Sequence, residues 1–176
     1  SYVTIPASTT FIGRGAFSGC PWNNNHPSGL IYMGKVAYKY VGEMPSGTSI
    51  TLAEGTTGIS DSAFTNCKNL ISITLPKGVT SIGRSAFDGC TGLTSLTIPT
   101  GITSIWERAF NSCTGLTLLT IPESVTTIDA YAFSDCKELT SLTIPGKVIS
   151  LGEGAFSGCK KLTSVVCPSS LKTIES

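Results

Sequence analysis

The chain has 176 residues, a formal net charge of +1, 40% hydrophobic residues and 13% charged ones. That balance excludes global disorder, and the scattered Lys and Arg lack the clustered basic field that nucleic acid or an anionic membrane requires. No apolar run approaches the ~20 residues of a membrane-spanning helix, so no membrane insertion is expected, and a start at Ser1 without a charged and apolar leader fits a cytosolic protein or a mature fragment.

In chain order, residues 1–20 read as a first coil, marked by Ile5-Pro6, Ile12-Gly13 and Ala16-Phe17 followed by Cys20. Residues 21–49 depart from it. They open with the polar run Pro21-Trp22-Asn23-Asn24-Asn25 and continue as two β-rich stretches, Leu30 to Met33 and Val36 to Val41, on either side of Gly34-Lys35. This predicts a β-hairpin insert whose first strand continues the sheet of the repeats that follow. Phe17 and Phe64 are 47 positions apart, two periods of 23 plus one residue, which also calls for a nonstandard unit between them.

Residues 50–176 are regular. Phe64, Phe87, Phe110, Phe133 and Phe156 recur every 23 positions, each after an Ala, and Cys67, Cys90, Cys113, Cys136 and Cys159 each follow three residues later. In the coil from Leu93 to Gly115, Leu96 and Ile98 alternate with Ser95 and Thr97, the period-2 signal of a short strand with one buried face, and Pro99 ends it. One coil cannot bury its apolar face, but coils stacked at about 4.8 Å bury each other's. The expected fold is a right-handed curved solenoid, with a parallel β-sheet on one face and short helical or 3₁₀ turns at the Ala-Phe-x-x-Cys segments on the other. The chain ends inside Ser170-Leu-Lys-Thr-Ile-Glu175, the start of another coil, as a fragment of a longer array would.

These residues resemble the BspA-type leucine-rich-repeat proteins of bacterial cell surfaces, whose repeat is L-T-S-L-T-I-P-x-x-V-T-S-I-G-x-x-A-F-x-x-C. Leu93 to Cys113, Leu116 to Cys136 and Leu139 to Cys159 match it closely, and the insert is similar through Trp22, Asn24, Asn25, Pro27, Gly29 to Tyr32 and Gly34 to Tyr40. The resemblance implies a single leucine-rich-repeat domain of an extracellular, surface-attached or secreted bacterial protein, with adhesion to protein or glycoprotein partners, host extracellular matrix among them. It carries no shared binding motif. Departures stand at Ala53 in place of Pro, Trp106 where Gly83 and Gly152 occur, and Cys167 in place of Ile or Leu.

The seven cysteines prompt a search for disulfides. In-register thiols would stand about 4.8 Å apart, beyond the usual Cβ range of about 3.5–4.5 Å, and each inner one has equivalent neighbours on both sides, so they are expected as buried free thiols. Zinc would need converging Cys or His, which this linear spacing does not supply. His26 is the only histidine, and no G-x-S-x-G elbow accompanies it, so no cofactor and no catalytic constellation are expected.

Candidate binding residues lie on the outward strand positions, Ser95, Thr97, Leu118, Thr120, Ser141 and Thr143, with Trp106 as an off-consensus aromatic. Thr suits exposed strands by β-propensity alone, while a row of hydroxyls broken by Leu118 also suits docking of a protein or glycan. Trp106 reads either as an interface anchor or as a cover over the next coil. Trp22, Tyr32, Tyr38 and Tyr40 read as a satellite core under the insert. A binding module is the first functional reading. A spacer or stalk without a partner is the alternative, and an ice-binding face is disfavoured by the curvature expected of the sheet and by Leu118.

Overall fold

The computed structural model describes residues 4–20 and 26–175; Trp22 and the polar run 21–25 lie outside them. The strands are β1 (Gly29–Met33), β2 (Val36–Val41), β3 (Thr48–Thr51), β4 (Gly58–Ile59), β5 (Leu70–Thr74), β6 (Ser81–Ile82), β7 (Ser95–Thr97), β8 (Ser104–Ile105), β9 (Leu118–Thr120), β10 (Thr127–Ile128), β11 (Ser141–Thr143), β12 (Ser150–Leu151), β13 (Ser164–Val166) and β14 (Thr173–Ile174). From β3 onward each coil supplies two. The odd-numbered strands pair in parallel as β3–β5, β7–β9 and β11–β13, with equivalent residues opposed, Ser95 to Leu118 and Thr97 to Thr120. The even-numbered ones make a second parallel ladder, as β4–β6 and as β8–β10–β12–β14. The odd-numbered strands from β5 onward stay short because the Pro that follows each, as at Pro99, has no N–H to continue the ladder.

The Ala-Phe-x-x-Cys segments are not helices. The N–H groups of Ala86, Asp88 and Cys90 bond back to the carbonyls of Gly83, Ser85 and Phe87, whereas those of Ser85, Phe87 and Gly89 reach the next coil, to Glu107, Ala109 and Asn111 at 3.0, 2.8 and 2.9 Å. A helix would satisfy successive N–H groups internally. Alternation needs a backbone that reverses hand, and Ser85 (φ 51°) and Gly89 (φ 74°) are left-handed, as are Arg108, Ser112, Tyr131 and Asp135 in the coils that follow. Such a residue costs about 1–2 kcal/mol when it is not glycine, and the inter-coil bond it releases offsets that cost.

The core is a column of equivalent residues. Phe64, Phe87, Phe110 and Phe133 are fully buried, and with Phe156, which is half-buried, their rings stack at centroid spacings of 5.2, 5.4, 5.3 and 5.6 Å and within 6° of parallel. Cys67, Cys90, Cys113 and Cys136 are buried and Cys159 half-buried. Each thiol from Cys90 on donates to the Phe carbonyl of the coil before it: Cys90 to Phe64 at 3.1 Å, Cys113 to Phe87 at 3.2 Å, Cys136 to Phe110 at 3.4 Å and Cys159 to Phe133 at 3.2 Å. Cys is therefore a small hydrophobe that also supplies a weak donor to a carbonyl with a lone pair to spare.

The insert joins the stack by its second strand, not its first. β2 pairs in parallel with β4, Val36 to Gly58 and Ala37 to Ile59, while β1 lies outside it, antiparallel, with a bulge between Ile31 and Tyr32. The N–H of Tyr40 reaches the Ala63 carbonyl, as that of Phe64 reaches Ala86, so β2 replaces the outer turn of its coil. The expected aromatic cluster is divided. Tyr38 packs edge-on to Phe17 (5.9 Å) in a satellite core with Ile12, Ile31, Met33 and Val36, while Tyr32 and Tyr40 pack on the main core. The Tyr32 hydroxyl accepts the Ala53 N–H at 2.9 Å. Pro could not make that bond, which accounts for the missing Pro of that coil.

Residues 4–20 form a repeat-like turn, Ala16 to Gly13, Ser18 to Gly15 and Cys20 to Phe17, but no strand. They lie beside the second ladder: the Thr10 carbonyl accepts the Ser81 hydroxyl at 2.8 Å, and the Arg14 N–H reaches the Asp61 carboxylate at 3.1 Å. Gly58 permits this approach, since a Cβ there would be driven into the Thr10 carbonyl oxygen. The other coils carry Ser81, Ser104, Thr127, Ser150 and Thr173 at this position. Gly58→Thr is therefore expected to cost about 1–3 kcal/mol by overpacking, confined to the docking of residues 10–14. Hydrogen exchange should quicken at the Arg14 amide and stay unchanged in β10 and β12; unaltered protection at Arg14 would contradict this account of the glycine.

Candidate functional site

The odd-numbered strands place Ser95, Thr97, Leu118, Thr120, Ser141 and Thr143 side by side on one exposed stripe, continued by Ser72 and Thr74 on one side and Ser164 and Val166 on the other. Leu118 is 65% exposed and stands directly opposite Ser95 in the ladder. Neighbouring hydroxyls are committed: those of Thr94, Thr117 and Thr163 donate to the carbonyls of Ile71, Thr94 and Thr140 in the preceding coil. Those of Ser95, Thr97, Thr120, Ser141 and Thr143 meet no partner among the described residues and face solvent with donor and acceptor free. The stripe is interrupted by two hollows. One, of about 690 Å³, is bordered by Ser72, Thr74, Lys77, Ser95 and Thr97; the other, of about 330 Å³, by Leu118, Thr120, Glu123, Ser141 and Thr143.

Trp106 belongs to neither hollow. It follows β8 on the second ladder, 39% exposed, with the Arg84 guanidinium 5.8 Å above its ring. It lines a separate cavity with Phe11, Asp61, Ser81 and Arg84. None of these four partners stands out in the sequence, although Asp61, Arg84 and Glu107 occupy one position of successive coils with alternating charge, and Arg14 holds the same position in the unit before the insert. Asp61 ties that column together, accepting the Arg84 N–H at 2.7 Å and the Arg14 N–H at 3.1 Å. On the neighbouring column, burial raises the Asp129 carboxyl above its usual range, against the lowering effect of Arg84. A second cation–π pair holds Arg108 5.5 Å above the Tyr131 ring, and the Tyr131 hydroxyl, donating to Glu153, titrates above its usual range for that reason.

The buried thiols of the column are in the wrong state for nucleophilic chemistry. Burial pushes the Cys67 thiol up to about 11 and raises Cys90, Cys113 and Cys136 still further from their ordinary value. A nucleophile or metal ligand must be thiolate. Among the described residues no group of three or more His, Cys, Asp or Glu side chains converges as a metal site would require, and no helix is long and apolar enough to cross a membrane.

The family described as BspA type leucine rich repeat region matches residues 1–95 and 57–176, as six copies. Among solved structures, a leucine-rich-repeat protein of T. pallidum is 33% identical, with a TM-score of 0.70 over 76% of this chain and 63% of its own. A leucine-rich cell surface protein of Faecalibacterium prausnitzii A2-165 is 27% identical, with a TM-score of 0.63 over 92% of this chain and 46% of its own. The chain thus spans less than two thirds of either relative. No curated protein matches it in sequence.

Proposed function

Because the chain belongs to the BspA-type leucine-rich-repeat family, whose repeats typically serve as protein-interaction modules, we propose that it is a non-catalytic adhesion module of a bacterial cell-surface or secreted protein, which binds a protein or glycoprotein through its strand stripe. The observation that carries this reading is the uncommitted state of the hydroxyls of Ser95, Thr97, Thr120, Ser141 and Thr143, set beside Thr94, Thr117 and Thr163, whose hydroxyls are spent on inter-coil bonds. Leu118, 65% exposed, adds an apolar anchor among the hydroxyls at the middle of the stripe. Interfaces draw most of their energy from a few such central groups, with polar neighbours setting register. The cell-surface description of the F. prausnitzii relative supports an extracellular location.

The test is biolayer interferometry against host matrix and plasma proteins, comparing the parent with a folded Thr97→Arg/Thr120→Arg variant. Saturable binding that weakens at least about tenfold in the variant is the expected result, since two desolvated, unpaired charges at the centre of an interface cost more than that. Binding untouched by the substitutions would remove the stripe as the site. No binding by the parent to any partner would leave the module as a spacer.

A further inference from the structure

Two departures from the repeat pattern meet at one place. Gly58, where other coils carry Ser or Thr, lets residues 10–14 lie against the second ladder, and Trp106, where Gly83 and Gly152 occur, rises beside them. Together they enclose a cavity of about 390 Å³, lined by Phe11, Asp61, Ser81, Arg84 and Trp106. That size falls within the range of about 300–1,000 Å³ typical of small-ligand sites. Phe11 and Trp106 remain 46% and 39% exposed, a large aromatic surface to leave in water.

The polar groups of the cavity are fixed and of both signs. The Asp61 carboxylate is held by two backbone N–H groups and keeps further lone pairs for a ligand. The Arg84 guanidinium is held over Trp106 and makes no ion pair among the described residues, leaving its donors available. Arg14, Glu107 and Arg108 border a hollow that shares Asp61 and Arg84 with this cavity, and Glu107 and Asp129 border another that shares Arg84. A ligand carrying a full charge of either sign meets repulsion from part of this set. A neutral polyol has donors for the carboxylate and acceptors for the guanidinium, and a pyranose ring also has an apolar C–H face to lie on an aromatic wall.

We propose that the cavity between Phe11 and Trp106 is a saccharide site, which takes one neutral pyranose ring against the two aromatic side chains and hydrogen-bonds its hydroxyls to Asp61 and Arg84. The site is separate from the strand stripe and does not depend on it. Saturation-transfer difference NMR with the methyl glycosides of glucose, galactose, mannose and N-acetylglucosamine, on the whole chain, tests it. At least one glycoside should give a saturable signal that Trp106→Ala and Phe11→Ala each weaken at least about tenfold. Trp106→Phe, which keeps an aromatic face, should stay within a few-fold of the parent, and this variant separates lost stacking from lost folding. Thr97→Arg/Thr120→Arg should leave the signal unchanged. No saturable signal from any of the four with folded protein, a signal that Trp106→Ala leaves intact, or one abolished by the strand-stripe substitutions would each overturn the proposal.

Discussion

Replacing Phe110 with Ala is expected to destabilise the domain by about 3–5 kcal/mol, the sum of lost transfer energy and the cavity left behind. Phe110 is fully buried, and both of its faces are covered, by Phe87 at 5.4 Å and Phe133 at 5.3 Å. Removing the ring therefore strips one face from each neighbour, in a stack whose stability is a sum of repeats and the interfaces between them. Phe156, half-buried and stacked on Phe133, provides the comparison. Urea unfolding should show a clearly smaller loss for Phe156→Ala. In thermal melts the Phe110→Ala loss corresponds to roughly 6–20 °C for a chain of this size. Equal losses at the two positions would mean that the rings act independently, without coupling along the column.

The features legible in the sequence were those repeated in every coil. Phe and Cys at a fixed period, and Leu96 and Ile98 alternating with Ser95 and Thr97, specify a buried column and a parallel strand, because one-residue slips would turn every side chain to the wrong face. The second ladder was not legible. Its Ser-Ile pairs are too short to show any periodicity, and only hydrogen bonding between coils makes them strands. The outer turn, expected as helical or 3₁₀, keeps the three-residue bond of a 3₁₀ turn, as from Cys90 to Phe87, but does not run on as a helix: an Ala-Phe-x-x-Cys spacing suits one helical turn, and the left-handed backbone at Ser85 or Tyr131 leaves no mark in residue types such as Ser, Arg and Tyr. Ala53 was visible as a missing Pro, but its cause is the Tyr32 hydroxyl, brought by an insert whose docking strand depends on tertiary pairing. Of the candidate site residues, those on the stripe follow from alternation alone. Phe11 joins Trp106 only through the lateral docking of residues 10–14, a long-range contact that no local pattern encodes.

Alkaline pH is expected to unfold this domain steeply. In the unfolded chain a thiol ionises near pH 8.5, whereas burial holds Cys67 protonated up to about 11 and raises Cys90, Cys113 and Cys136 as well. A pKa raised by folding means that the folded state binds the proton more tightly. The contribution is therefore fully present below about pH 8.5 and is lost as pH rises from there through the folded values. Inside that window each thiol still protonated in the fold costs about 1.4 kcal/mol per pH unit relative to the unfolded thiolate. The four buried thiols together set an upper slope of about 5–6 kcal/mol per pH unit, enough to exhaust a typical domain stability of about 5–15 kcal/mol within a few units. Half-buried Cys159 shifts in the same direction for the same cause. Urea midpoints between about pH 7 and pH 10.5 measure the slope, and in a variant with Cys20 and the exposed Cys167 replaced by Ser, thiolate absorbance should rise together with unfolding, not before it. Replacing Cys90, Cys113 and Cys136 with Ala lowers stability at neutral pH, by removing the donors to the Phe64, Phe87 and Phe110 carbonyls, yet should flatten the alkaline slope. A slope unchanged in that variant would assign the sensitivity to other groups. The in-register stacking sharpens the effect further, since a thiolate at Cys113 would be repelled by thiolates at both Cys90 and Cys136. The column therefore resists ionisation as a unit and should give way cooperatively.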